Sequence, residues 1–156
     1  MALRLEPLRL EQATEIASWR YPPPYDTYDV TEGVEHMMRA ELRYQAVLDG
    51  DELIGYACYG ADATVPNGDY PDGVLEVGWG MRPDLMGQGR GAAFTGAIVA
   101  FAEEAFAPAE MGVTIAVFND RSQRAALRQG FTREIGRFTA PDGMDFVQLR
   151  RGRPII

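Results

Sequence analysis

The stretch from Leu75 to Phe94, LEVGWGMRPDLMGQGRGAAF, constrains this chain more than any other part of it. Val74 to Met81 reads as a strand, Arg82-Pro83-Asp84 turns the chain, and glycines at 87, 89 and 91 lead into a helix. That helix runs from Gly91 to Phe106, with Phe94, Ile98, Phe101 and Ala105 on one stripe, and Pro108 ends it. An apolar strand follows from Met111 to Phe118. Strand, helix and strand in this order make a parallel crossover, so a helix must lie across a sheet.

The rest of the chain reads differently. A short strand from Leu3 to Glu6 is broken by Pro7, and a helix from Leu10 to Trp19 carries Ala13, Ile16, Ala17 and Trp19 on an apolar face. Three prolines in RYPPPYDTYD (20–29) hold the backbone extended and forbid helix. Thr31 caps a short helix to about Ala40, with Glu32 and Glu35 in its first turn. Strands from Arg43 to Leu48 and from Glu52 to Tyr59 flank Asp49-Gly50-Asp51, a hairpin signal. A Pro/Gly/Asp-rich loop spans 61–73. After the crossover come a helix from Asp120 to Gln129 ended by Gly130, a strand from Phe131 to Phe138, a turn at Pro141-Asp142-Gly143 and a strand from Met144 to Arg150. The expected class is mixed α/β (α+β), largely antiparallel, in one domain over residues 1–156 with no repeat and no Gly/Ser linker.

Composition excludes several classes of function. The net charge is −8 and every one of the 15 basic residues is arginine, which speaks against nucleic acid, since phosphate contacts need clustered cations. The absence of lysine has a plain explanation in the codon usage of a GC-rich genome. An acidic surface can steer a cationic amine, or simply keep the chain soluble. No window approaches the roughly 18 apolar residues of a membrane span. Residues 1–12, MALRLEPLRLEQ, carry charge where a signal peptide is apolar, and the single cysteine, Cys58, suits a reducing compartment, so the expectation is cytoplasmic. Cys58 reads as a core residue and His36, the one histidine, as a surface or packing residue; neither has the neighbours a zinc site needs.

The glycine loop carries the chemistry. Glycines let the backbone bend and let a ligand approach without Cβ obstruction, and the first turn of the next helix offers unpaired N–H groups at the positive end of its dipole. Together these suit a diphosphate; a flexible connection without ligand is the alternative. Gly87-x-Gly89-x-x-Ala92 formally fits a dinucleotide fingerprint, but an antiparallel meander precedes it and no second βαβ half follows. A Walker A loop needs lysine, and there is none.

Met86-Gly87-Gln88-Gly89-Arg90-Gly91 resembles the acetyl-CoA motif Q/R-x-x-G-x-G/A of the GCN5-related N-acetyltransferases, with glycines in both required places and Met86 in place of glutamine or arginine. The preceding VGWGMRPDL looks like that family's fourth strand and turn. Asn119-Asp120-Arg121-Ser122 and then Gln129-Gly130-Phe131 are similar to its N-x-x-S/A … G-F ending. The likeness is close over residues 44–138 and extends to the element order of the whole chain.

The resemblance implies a mostly antiparallel central sheet of about six or seven strands flanked by about four helices. It also implies an enzyme that moves an acetyl group from acetyl-CoA to a primary amine in a ternary complex. Met86, Gly87, Gln88, Gly89, Arg90, Gly91 and Ala92 would form the diphosphate cradle and Asn119 would bond the cofactor arm, or merely cap the strand end. The fourth strand would pair with that arm. Gly78 and Gly80 would leave room for a thioester, or merely accommodate neighbours, and an N–H between Trp79 and Met81 would polarise its carbonyl. Glu76, on the face of Gly78 and Gly80, would take the amine proton directly or through a water, or be an ordinary strand residue.

Many relatives carry a tyrosine that protonates the thiolate; here Ala126 stands at that place, leaving Ser122 or water. Trp19, Tyr21, Tyr25 and Tyr28 would line the acceptor pocket, with Asp26 or Asp29 receiving a cation, or would only cover the sheet. No metal is called for. The resemblance leaves a homodimer open, along with the acceptor and the length of the acyl chain. A non-catalytic CoA-binding module of the same fold is the alternative, motivated by Met86 and Ala126.

Overall fold

The structure, a computed structural model, describes residues 2–152. Its elements run β1 (Leu3–Pro7), α1 (Leu10–Ser18), α2 (Val34–Met37), β2 (Gln45–Asp49), β3 (Glu52–Tyr59), β4 (Val74–Met81), α3 (Gly91–Phe106), β5 (Glu110–Ala116), α4 (Asp120–Arg128), β6 (Arg133–Thr139) and β7 (Asp145–Gly152). The strands form one seven-stranded sheet in the order β1-β2-β3-β4-β5-β7-β6. Every neighbouring pair is antiparallel except β4 and β5, the pair joined through α3. The mixed α/β class, the strand number and the crossover agree with the expectation.

Side-chain alternation along the strands builds two cores. Val47, Ile54, Val77, Met111 and Val113 point to the face covered by α3 and α4, where Phe94, Ile98, Ala102 and Ala126 meet them. Ala46, Leu48 and Leu53 point to the other face, where Ala13 and Ile16 of α1 and Met37 of α2 pack with Trp19. Helix α1 begins where the Arg9 N–H donates to the Gln12 side-chain oxygen at 2.8 Å, a local cap that satisfies an otherwise unpaired amide.

Several boundaries shift for visible reasons. The short helix begins after Gly33 rather than Thr31 and holds only four residues. Arg43 adopts a left-handed conformation (φ 53°), so β2 starts at Gln45. Phe131 opens no strand; it is fully buried in the α3 face, with its N–H donating to the Ala126 carbonyl, and β6 begins at Arg133. No helix among the described residues is long and apolar enough to cross a membrane.

Candidate active site

β4 and β5 pair over three rungs only, Val74 with Glu110, Leu75 with Met111 and Glu76 with Gly112, and then diverge. The opening holds a cleft of about 470 Å³. Its floor includes Trp79 and Met81 on one strand and Val113, Thr114 and Ile115 on the other. The Gly60 N–H donates to the Glu76 carbonyl and the Arg82 N–H to that of Ile54, which sets the antiparallel alternation on the β3 side. The backbone groups of Gly78 and Gly80 therefore face β3, and those of Trp79 and Met81 face the opening. The Tyr21 hydroxyl donates to the Met81 carbonyl at 2.7 Å, which brings the loop after α1 over this edge.

The glycine loop forms one end of the cleft. A single 3-10 turn at Pro83–Leu85 leads to Gly87 and Gly89, at φ 74° and 75°, where a side chain is strained. A Cβ at Gly89 would meet open space, so backbone conformation rather than crowding calls for glycine there. Helix α3 starts at Gly91 with no side-chain cap and no acidic residue in its first turn. Its first amides thus remain available to an anion. Met86, Gly87, Gly89, Arg90 and Gly91 line the cleft. Gln88 and Ala92 do not: the Gln88 amide turns back to donate to the Asp84 carbonyl, and Ala92 lies just inside the helix, its carbonyl accepting from Gln129.

At the other end stand Tyr21, Tyr25 and Tyr28, with Asn119 and Ser122 beside them. Asn119 caps α4, accepting from the Ser122 N–H at 3.1 Å. Its amide nitrogen donates to the Tyr28 hydroxyl. Burial pushes the Tyr28 phenol above its ordinary range, and the Asn119 hydrogen bond opposes this. Tyr25 and Tyr28 pack with Phe118. Trp19 is corrected: it is 8% exposed and packs against Tyr56 in the α1 core, off the cleft. Asp29 is spent locally, accepting from the Tyr21 N–H, and neither it nor Asp26 lines the cleft.

Glu76 needs the largest correction. Its side chain does not line the cleft; it lies under the loop 61–73, buried beside Gly112. Arg150, itself 2% exposed, stands 3.5 Å from one carboxylate oxygen. Neither oxygen has a hydrogen-bond partner among the described residues. Burial raises this carboxyl to about 7; Arg150 opposes the shift and Asp69 adds to it. Gly78 and Gly80 face the same way, onto Cys58 with Ala63 and onto the Tyr56 ring, so their missing side chains make room for neighbours rather than for a ligand on that face. Cys58 is buried, which pushes its thiol up to about 12. His36 is held between Glu32 and Asp62, away from the cleft. No group of three or more His, Cys, Asp or Glu among the described residues could hold a metal ion.

Arg121, Arg124 and Arg128 escaped the sequence reading. All three line the cleft, and the Arg121 guanidinium rests over the Tyr25 ring beside Gly87. Their spacing of three and four residues on α4 was the available signal. Among the described residues, no Asp or Glu lines the cleft. Its wall thus carries arginines along α4 and tyrosines at one end.

The family profile of the acetyltransferase (GNAT) domain matches residues 3–132. The chain therefore belongs to the GNAT acetyltransferase family. No curated protein sequence matches it. Among solved structures it is similar to aminoglycoside acetyltransferase AAC(6')-Ib in complex with paromomycin and acetyl-CoA (TM-score 0.74, 16% identity, covering 98% of this chain and 94% of that one). It is also similar to a spermidine N-acetyltransferase SpeG chimera from Vibrio cholerae and hSSAT (TM-score 0.73, 16% identity, 97% and 95%). A GNAT-family acetyltransferase from Bacillus anthracis is a third such structure (TM-score 0.71, 14% identity, 96% and 94%). At these identities the likeness is one of fold.

Proposed function

We propose that the protein is an acetyl-CoA-dependent N-acetyltransferase that acetylates a primary amine by direct attack within a ternary complex. The observation that carries this reading is the divergence of β4 and β5 after Glu76, which opens a channel from the glycine loop to the tyrosine cluster. A diphosphate fits one end, where the loop has two positive-φ glycines and the helix start is uncapped. An extended arm fits the middle, where the backbone groups of Trp79 and Met81 have no strand partner. An amine fits the end bounded by Tyr21, Tyr25 and Tyr28. Two similar structures, one a complex of AAC(6')-Ib with paromomycin and acetyl-CoA and the other a spermidine N-acetyltransferase chimera, support the same class of reaction.

In this reading acetyl-CoA supplies an activated acetyl thioester. The amide of Gly91, with those of the loop residues before it that line the cleft, holds its diphosphate. The Trp79 or Met81 N–H donates to the thioester carbonyl and stabilises negative charge as the amine attacks. Asn119 fixes Tyr28, and the hydroxyl of Ser122, which lines the cleft, hydrogen-bonds the departing thiolate, since Ala126 is fully buried and has no proton to give. Glu76 serves as proton acceptor at one remove, through water and not by contact, and a carboxyl near 7 suits a base working at neutral pH. The lone buried thiol and the need for acetyl-CoA support a cytoplasmic setting.

A second reading, a CoA-binding module without turnover, draws on Ala126 and on Glu76 being buried and not among the cleft-lining residues. Thiol release from acetyl-CoA across a panel of amines separates the two. The enzyme reading expects release that depends on at least one amine; binding without any release supports the module.

A further inference from the structure

We propose that Arg124 and Arg128 form a receptor for a phosphate monoester outside the glycine-loop cradle, the ribose 3′-phosphate of coenzyme A, so that the cleft discriminates coenzyme A from dephospho-coenzyme A. The inference rests on the cofactor reading above and adds to it a specificity that the glycine loop alone does not supply.

The starting point is charge. In a chain of net charge −8, the described arginines mostly find carboxylates: Arg4, Arg9, Arg39, Arg82, Arg90, Arg133, Arg137, Arg150 and Arg151 all do. Arg20 and Arg43 are engaged otherwise, by backbone carbonyls and by the Phe106 ring. Arg121, Arg124 and Arg128 have no carboxylate partner among the described residues, and all three line the same cleft. At spacings of three and four they share one face of α4, where like charges repel one another. Arg121 also sits in the first turn of α4, where the helix dipole disfavours a cation. A stripe of this kind weakens its own helix unless a polyanion lies against it.

Placement divides the work among the three. The Arg121 guanidinium stands 3.1 Å from where a Gly87 side chain would begin, against the loop itself. Ala125 meets Gly91, and the Gln129 amide donates to the Ala92 carbonyl while resting against Gly96. Helices α3 and α4 therefore run side by side in the same direction. Arg124 and Arg128 fall along the opening turns of α3, past the loop and away from the tyrosine end. A diphosphate engages the α3 amides and Arg121, which leaves two cations for a third anionic group on the same ligand. Of the two candidate forms of the cofactor, only coenzyme A carries one.

The test measures the affinities of coenzyme A and dephospho-coenzyme A calorimetrically, for the wild-type protein and for the Arg124→Gln/Arg128→Gln double variant. Both side chains are exposed, so the variant keeps its fold, and a melting curve verifies this. The expected result is that the wild type prefers coenzyme A by about tenfold or more, the scale of charge-assisted contacts. The double variant falls to the dephospho level for coenzyme A and keeps its affinity for dephospho-coenzyme A. Equal wild-type affinities, or equal loss of both ligands in the variant, overturn the inference while leaving the cofactor reading in place. Failure of the wild type to bind either ligand overturns both.

Discussion

The side-chain amide of Asn119 donates to the Tyr28 hydroxyl at 3.1 Å, joining residues 91 apart in sequence. Asn119 closes the first turn of α4 with its other atom, so one side chain ties the helix beside the glycine loop to the aromatic end of the cleft. Tyr28→Phe breaks the tie and leaves the helix cap intact. The expected outcome is a several-fold rise in KM for the acceptor, with acetyl-CoA affinity changed by less than about twofold, as fits a lost hydrogen bond worth ~1 kcal/mol. Asn119→Ala removes both bonds and lowers stability by a further ~1 kcal/mol through the missing cap. Steady-state kinetics beside denaturant melts check the pair.

Glu76 gives the protein a pH signature. Its ordinary value of 4.5 rises to about 7 in the folded state, chiefly through burial. Between these values the native protein holds a proton that the unfolded chain has released. The associated stability is complete below about pH 4.5 and is lost as pH rises through about 7, by at most ~3 kcal/mol. Glu76→Gln removes this slope from a plot of unfolding free energy against pH, whatever offset the unpaired Arg150 introduces. If the carboxylate also receives the amine proton, kcat/KM climbs with pH up to about 7 and that limb flattens in the variant. A retained limb takes Glu76 out of the reaction.

Trp19 belongs to the core, packed against Tyr56 and 8% exposed. Trp19→Ala should cost ~3–5 kcal/mol of stability, as large aromatic truncations do, and leave acetyl-CoA affinity within about twofold below the melting transition. A loss of affinity without a loss of stability would return this residue to the cleft.

The cleft wall carries arginines and no carboxylate among the described residues. An acceptor with several ammonium groups meets no counter-charge there, and like-charge juxtaposition costs affinity. Spermidine and aminoglycosides should therefore show kcat/KM at least about tenfold below that of an aromatic monoamine. Rates measured over such a panel decide the point.

Local signals were legible in the sequence where one principle dominated. Beta-strand 52–59, beta-strand 74–81 and helix 91–106 agree residue for residue with their patterns, because apolar period, turn chemistry and glycine placement all coincide there. The glycine loop that leads into this helix was legible for the same reason. Side-chain direction at the site was not. Glu76 and Gly78 share a strand face, yet that face is filled by Arg150 and Cys58, which come from residues far along the chain. The Trp19 ring and the Tyr21 hydroxyl, two positions apart, part company because one meets Tyr56 and the other the Met81 carbonyl. The arginine stripe on α4 was visible as spacing, but only the packing of α4 along α3 turns that spacing into a cleft wall.

The central claim is that the backbone of the loop before α3 receives the cofactor. Gly89 sits at φ 75° with open space around it, so Gly89→Val strains the loop and puts bulk where the diphosphate is to lie, without disturbing the core. Calorimetric titration of acetyl-CoA is the direct measurement. One-to-one binding to the wild type, weakened at least about a hundredfold in Gly89→Val at similar melting temperature, is the result expected. No binding to the wild type, or binding that the valine leaves unchanged, contradicts the account.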